Sequence, residues 1–224
     1  MRYLNDALLF TSSPVNAFEL LSVDCAVCAA PINNGKHMLK LFTALVLLVT
    51  AGTAAADASS RLQTLEAVVA KGAAVPSISA LALTKLLADE PRAVLLFDVR
   101  EADEYAVSHL ARSVLVKPSV SADEFLKTLP ADLTGKTLVF YCSVGRRSTT
   151  LADKVATALQ QRGAKAIYNL TGGIFRWRSL GLPLESASGA TTEVHPFSTF
   201  WRTFLPPSPV AGVSGGPDAA PLKP

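Results

Sequence analysis

The sequence predicts an α/β domain built on a mainly parallel central sheet flanked by helices. Short, continuous apolar runs at Ala93 to Phe97 and Thr137 to Tyr141 have the composition of strands buried on both faces. Segments with apolar residues at helical spacing separate such runs, so strands and helices alternate along the chain. The second run is followed at once by a loop carrying a cysteine and two arginines, at the strand end where ligands of parallel sheets gather.

Taken in order, Ser59 to Lys71 places Leu62, Leu65, Val68 and Val69 on one helical face and stops at Gly72. Val75 to Ile78 is a short extended piece. Ser79 then caps a helix from Ala80 to Asp89 that Pro91 ends. The run closing at Asp98 leads into a helical pattern from Glu101 to His109, and Ser113 to Val116 is another short strand. Ser121 with Glu124 three residues later has the form of a capping box for a helix ending near Pro130. After Thr137 to Tyr141 comes a helix from Arg147 to Gln161, stopped at Gly163. Ala166 to Tyr168 is the last strand. Beyond Pro183 the pattern thins. There Pro196 opens a helix with Phe197, Phe200, Trp201, Phe204 and Leu205 on one face, within a segment 186–205. The Pro/Gly/Ala-rich tail 206–224 reads as disordered.

The 224 residues are 50% hydrophobic and only 17% charged. The uncharged run Leu41 to Ala56 accounts for part of that balance. It follows Lys36 and Lys40 and ends in Ala54, Ala55 and Ala56, the order of a cleavable secretory signal. The run is shorter than the roughly 20 residues of a membrane-spanning helix. The expectation is therefore a signal over 38–56, export to the periplasm, and no stable membrane insertion after cleavage; an uncleaved anchor is the competing reading. A signal beginning at Met38 leaves 1–37 as an upstream extension, or untranslated. Gly35 and Lys36 are encoded by GGN-AAR, the purine-rich pattern of a ribosome-binding site.

Export changes the cysteine arithmetic. Cys25 and Cys28 lie in the upstream segment, and only Cys142 remains for an oxidising compartment. A lone exported thiol reads as reactive, with an inert buried cysteine as the bland alternative. The net charge of +3 is unchanged by removal of 1–56, which carries Arg2, Lys36 and Lys40 against Asp6, Glu19 and Asp24. Without a Lys/Arg run or aromatic-basic interleaving, nucleic acid is not an expected partner.

The chemistry concentrates in Cys142-Ser143-Val144-Gly145-Arg146-Arg147-Ser148. Between a strand and a helix start, successive backbone N–H groups can curl around the sulfur and present donors to an anion. Those donors, the helix dipole and the two guanidinium groups favour thiolate over thiol. Gly145 permits the tight loop because it reaches positive φ without a Cβ clash. The thiol is expected to sit in an exposed loop and contribute little packing.

This loop resembles the active-site Cys-x-x-Gly-x-Arg of the rhodanese family, and its Gly-Arg-x-Ser continuation is similar to small periplasmic thiosulfate sulfurtransferases. Asp98-Val-Arg100-Glu101, with Glu104-Tyr105 and His109-Leu110, resembles the family's first motif. Leu170-Thr-Gly172-Gly173-Ile174, with Trp177, Gly181 and Pro183, resembles its closing motif. The likeness covers about 75–185, behind an N-terminal helix in 57–74. The family's Gly-His-Ile-x-Gly-Ala is here Ser108-His-Leu-Ala-Arg112-Ser113, which puts Arg112 and Ser113 in place of small residues near the pocket.

The resemblance implies a rhodanese-like fold and a sulfurtransferase. Cys142 takes sulfane sulfur from a small anionic donor such as thiosulfate, and the persulfide passes it to cyanide or a thiol. The backbone of Ser143, Val144, Gly145, Arg146, Arg147 and Ser148, with the Arg147 side chain, would hold the anion, and Arg146 would assist. On this reading Arg147→Ala raises the KM for thiosulfate more than Arg146→Ala does. The implied chemistry needs neither metal nor organic cofactor.

Asp98, Arg100 and Glu104 read as a structural charge network beside the pocket rather than as acid/base catalysts. His109 and His195 are too isolated to suggest a metal, and Trp177 reads as core. The aromatic stripe from Phe197 reads as docking on the domain, with a homodimer contact as its other use. Two rival functions remain. A phosphatase of the same fold would need Cys-x5-Arg, but the sixth position after Cys142 is Ser148. A non-enzymatic persulfide carrier would use the same cysteine as an enzyme.

Overall fold

A computed structural model describes residues 57–205. The signal segment, Cys25 and Cys28, and the tail from 206 lie outside the described residues. A helix α1 spans 57–71. It is followed by β1 (Ser77–Ile78), α2 (Ala80–Asp89), β2 (Val94–Asp98), α3 (Ala102–Val107), β3 (Val114–Leu115) and α4 (Ala122–Lys127). Then come β4 (Thr137–Tyr141), α5 (Arg146–Gln161), β5 (Ala166–Leu170), α6 (Gly173–Ser179), β6 (Leu184–Ser186), β7 (Gly189–Thr191) and α7 (Thr199–Arg202).

Strands β1 to β5 form one sheet in the order β1-β5-β4-β2-β3, and every neighbouring pair is parallel. The expected α/β class and its parallel sheet are thus the observed ones. Central β4 is buried at all five positions, which explains its unbroken apolar run. Its side chains alternate between faces. Val139 and Tyr141 join Leu62 of α1, Leu83 of α2, and Ile174, Phe175 and Trp177 of α6. Leu138, Phe140 and Cys142 join Phe125 of α4 and Leu151, Val155 and Leu159 of α5. On this second face the Phe97, Phe125 and Phe140 rings lie 5.1 to 5.5 Å apart between centroids.

The cap signals act as the sequence predicts. Ser79 Oγ accepts from the Ala82 N–H, and Ser121 and Glu124 form a reciprocal capping box. Several boundaries differ. The helix after Ser121 ends at Lys127 rather than near Pro130, and α3 ends at Val107 because Ser108 is extended and the His109 N–H bonds Glu185 O. Strand β5 runs two residues further than expected, because β1 pairs with Asn169 and Leu170. Helix α6 and the β6–β7 hairpin were not anticipated. The helix expected to open at Pro196 starts instead at Thr199, under a Ser198 cap. Phe197, at φ 66°, lies outside it.

Candidate active site

The carboxyl end of β4 delivers Cys142, and the loop 142–145 turns directly into α5. The turn is made by Gly145 at φ 94°, where a β-carbon would come within 3.1 Å of Asn169 Nδ2. Three side-chain groups fasten the turn. The Gly145 carbonyl accepts from Thr149 Oγ1 at 2.7 Å and from Asn169 Nδ2 at 3.2 Å, and Ser148 Oγ donates to Asn169 Oδ1 at 2.7 Å. The Ser148 hydroxyl therefore holds the loop from beneath.

Helix α6 orients the loop from behind. Ile174 and Phe175 N–H groups donate to the carbonyls of Cys142 and Ser143 at 2.9 and 3.1 Å. In a trans peptide the next N–H points opposite the carbonyl, so the amides of Ser143 and Val144 face away from α6. The Gly145 N–H reaches Cys142 Sγ at 3.2 Å. The close approach of α6 to the loop needs Gly173, at φ 53°, whose missing β-carbon would run into Cys142 O.

Cys142 is 1% exposed and packs in the second core cluster, which corrects the expectation of an exposed loop thiol. Alternation along β4 turns its side chain toward the face that holds Phe140. It still borders a cavity of about 270 Å³. Ser143, Val144 and Thr150 line the cavity from the loop and α5, with Arg146 and Arg147 beside them. Phe197 and Trp201 close it from the C-terminal segment.

The two arginines differ. Arg147 donates from Nη1 to Glu104 Oε2 at 2.7 Å, and from Nη2 to Glu104 Oε1 at 2.8 Å and Ser143 Oγ at 2.9 Å. Ser143 Oγ in turn donates to Glu104 Oε1 at 2.8 Å. Its guanidinium carbon lies 5.0 Å from the Phe197 ring centroid, in cation–π range. Arg146 is exposed at the cavity rim.

Glu104 is wholly buried. Burial pushes its carboxyl up, but hydrogen bonds from Arg147 and the Glu101 N–H outweigh that and hold it below the ordinary carboxylate range. Burial pulls Arg147 down, yet pairing with Glu104 and the nearby Cys142 raise it above the ordinary guanidinium value.

Asp98 and Arg100 form a separate, fully buried pair with bonds of 2.8 and 2.6 Å, and Arg100 Nη2 also donates to Ser108 O at 2.6 Å. The expected charge network is thus two units. Asp98 and Arg100 brace the segment after β2, whereas Glu104 is bonded directly to the cysteine loop. Arg112 adopts φ 62° where the family motif has glycine, and its Nη1 donates to Pro91 O. Neither it nor Ser113, which accepts from Tyr141 OH, borders the cavity. The His109 ring stacks on Tyr105 at 3.9 Å between centroids.

The sequence motif gave Gly173 no packing role, and the aromatic stripe was expected to dock on the domain rather than to line the cavity. Trp201, Phe204 and Leu205 do pack against the first core cluster, while Phe197 and Phe200 remain exposed. The signal for the wall was an aromatic cluster placed after the last motif. Phe197 holds a left-handed backbone at a cost of about 1–2 kcal/mol for an L-residue, and its ring faces the site.

The rhodanese-like domain family matches residues 79–180. A tRNA uridine(34) hydroxylase of Cupriavidus taiwanensis is 32% identical over 123 residues, 54% of this chain and 40% of the relative. An uncharacterised Synechocystis protein is 28% identical over 102 residues, 46% of this chain and 52% of the relative. The chain therefore spans about half or less of these relatives' own length. Among solved structures, a rhodanese-related protein of Thermoplasma volcanium is 30% identical, with 49% of this chain and 96% of that one covered and a TM-score of 0.39. With the parallel sheet, the cysteine loop and the flanking motifs in place, residues 79–180 constitute a rhodanese-like domain.

Proposed function

We propose that the protein is a sulfurtransferase that moves sulfane sulfur from thiosulfate, or a similar anionic donor, through a persulfide on Cys142 to cyanide or a thiol. The observation that carries this reading is the placement of Cys142 Sγ. The residue borders a cavity at the head of α5, its Sγ accepts the Gly145 N–H, and it lies in a loop whose amides are turned from α6.

In the first half-reaction the Cys142 thiolate attacks the outer sulfur of thiosulfate, the donor's S–S bond breaks, and sulfite leaves with the bonding pair. In the second, cyanide or a thiolate attacks the outer persulfide sulfur, the new S–S bond breaks, and the Cys142 thiolate returns. No net oxidation of the protein occurs. The loop amides and Arg146 stabilise the anionic donor and the persulfide, and Glu104 keeps Arg147 and Ser143 in register with the loop.

The rhodanese-like family match supports sulfur chemistry, and the loop length supports it over phosphoryl chemistry, since Arg147 follows Cys142 at the fifth position. Export to the periplasm belongs to the same proposal and rests on the basic-flanked apolar run ending at Ala56. Among the described residues, no helix is long and apolar enough to cross a membrane. Intact mass before and after thiosulfate tests the chemistry. A gain of one sulfur atom, absent in Cys142→Ala, is expected; no gain in the unmodified protein overturns it.

A further inference from the structure

Phe197 and Trp201 come from a segment that follows the matched domain, yet they border the same cavity as Cys142. The cavity of about 270 Å³ corresponds to roughly nine waters at ~30 Å³ each, more room than the five heavy atoms of a thiosulfate ion need. Cyanide fills far less. The apolar part of its lining is Val144, Phe197 and Trp201, with Arg146 at the rim. The Phe197 ring is held there by two independent devices, the left-handed backbone at φ 66° and the Arg147 guanidinium 5.0 Å away. Trp201 is braced from behind by Phe204 at 5.4 Å and by Phe200 at 5.3 Å. The aromatic half of the cavity is therefore built, not a gap left by loose packing.

We infer that Phe197 and Trp201 determine specificity for an organosulfur substrate whose apolar substituent, aryl or alkyl, lies between them while its sulfur meets Cys142. The inference rests on the sulfurtransferase reading and names the class of compound that site takes. The same chemistry can enter as donor or as acceptor. As an organic thiosulfonate it gives its outer sulfur to the Cys142 thiolate and leaves as the sulfinate. As a thiolate it attacks the outer persulfide sulfur and leaves as an organic persulfide, restoring the Cys142 thiolate. Both steps balance without an external oxidant or reductant.

Binding of unreactive analogues tests the wall independently of turnover. Calorimetry compares phenylmethanesulfonate with methanesulfonate on the full chain, on Phe197→Gly and on Trp201→Leu. Glycine adopts φ near that of Phe197 without strain, so this variant removes the ring and keeps the backbone. The phenyl group is expected to tighten binding about tenfold or more in the unmodified protein, as partial burial of an aromatic ring implies. In either variant the preference should fall below about threefold. Equal binding of the two sulfonates, or a preference unchanged in both variants, overturns the inference even if thiosulfate loads Cys142. A preference that holds while no persulfide forms retains the wall and removes the sulfur-transfer reading. Kinetics then assign the source. Benzenethiosulfonate favoured over thiosulfate places the substituent on the donor, and phenylmethanethiol favoured over 2-mercaptoethanol places it on the acceptor. Neither preference in a protein that turns over thiosulfate and cyanide overturns the assignment as a substrate site.

Discussion

Arg147 and Glu104 share two hydrogen bonds of 2.7 and 2.8 Å, with the carboxylate wholly buried and the guanidinium at the cavity edge. The pairing compensates most of the charge that the sequence had assigned to the incoming anion. It leaves Arg146, exposed on the rim, as the more open of the two loop cations that border the cavity.

The first expectation therefore reverses the one drawn from the family pattern. Arg146→Ala should raise the KM for thiosulfate about fivefold, the scale of a partly solvated ion pair, with the melting temperature little changed. Arg147→Ala should instead strand a buried carboxylate and lose about 3 kcal/mol of stability, the low end for a broken buried pair because the guanidinium is partly open to water. Steady-state kinetics and urea unfolding on both variants separate the two effects. A larger KM change in Arg147→Ala with unaltered stability would refute this division of roles.

Glu104 also predicts a pH dependence. Its folded-state carboxyl lies below the ordinary 4.5, so the unfolded chain binds more protons around that pH and stability rises with pH. The contribution is complete above the ordinary value and is lost as pH falls through the depressed one. Urea midpoints measured from about pH 6 to about pH 3 should fall more steeply in the native protein than in Glu104→Gln. Parallel slopes would show that the pair does not carry the effect.

Cys142→Ser should abolish sulfur transfer from thiosulfate to cyanide. The smaller hydroxyl keeps an acceptor for the Gly145 N–H, so loss of stability should stay within about 1–2 kcal/mol despite the burial of this residue. Turnover in that variant would remove the assigned nucleophile. Circular dichroism distinguishes lost chemistry from lost fold.

Gly173→Ala and Gly189→Ala form a matched pair, since both glycines have positive φ. At Gly189 a β-carbon meets nothing within 4 Å, so only backbone strain of about 1–2 kcal/mol is expected. At Gly173 the β-carbon collides with Cys142 O and lies 2.8 Å from Ser143 C. That variant should destabilise by at least about 3 kcal/mol and lose sulfur transfer even where it remains folded. Equal melting temperatures for the two variants would contradict the close approach of α6 to the loop.

The parallel sheet was legible because the strands are short and nearly all apolar, and the helices α2 and α4 because Ser79 and Ser121 announce their starts. Cys142 was legible as the candidate nucleophile from its spacing to Gly145, Arg146 and Arg147, and the structure sets it beside the cavity at the end of β4. What the spacing could not convey is competition. Nothing in Cys-x-x-Gly-x-Arg says that the arginine fork meets Glu104 before it meets a ligand, because that pair joins α3 to α5. Likewise the aromatic residues after Pro196 carry a core-like signature. Only the left-handed turn at Phe197 shortens the expected helix and brings one of those rings to the cavity.

The loop is fastened by β5, α5 and α6, whereas Phe197 and Trp201 arrive after the β6–β7 hairpin. The reactive floor and the aromatic wall are thus separable in inheritance. Lengthening, trimming or exchanging the stretch after Thr191 would redraw the mouth of the cavity without disturbing the hydrogen bonds that hold the thiol. A change confined to that stretch would reshape the approach to Cys142 and leave the loop around it as it is.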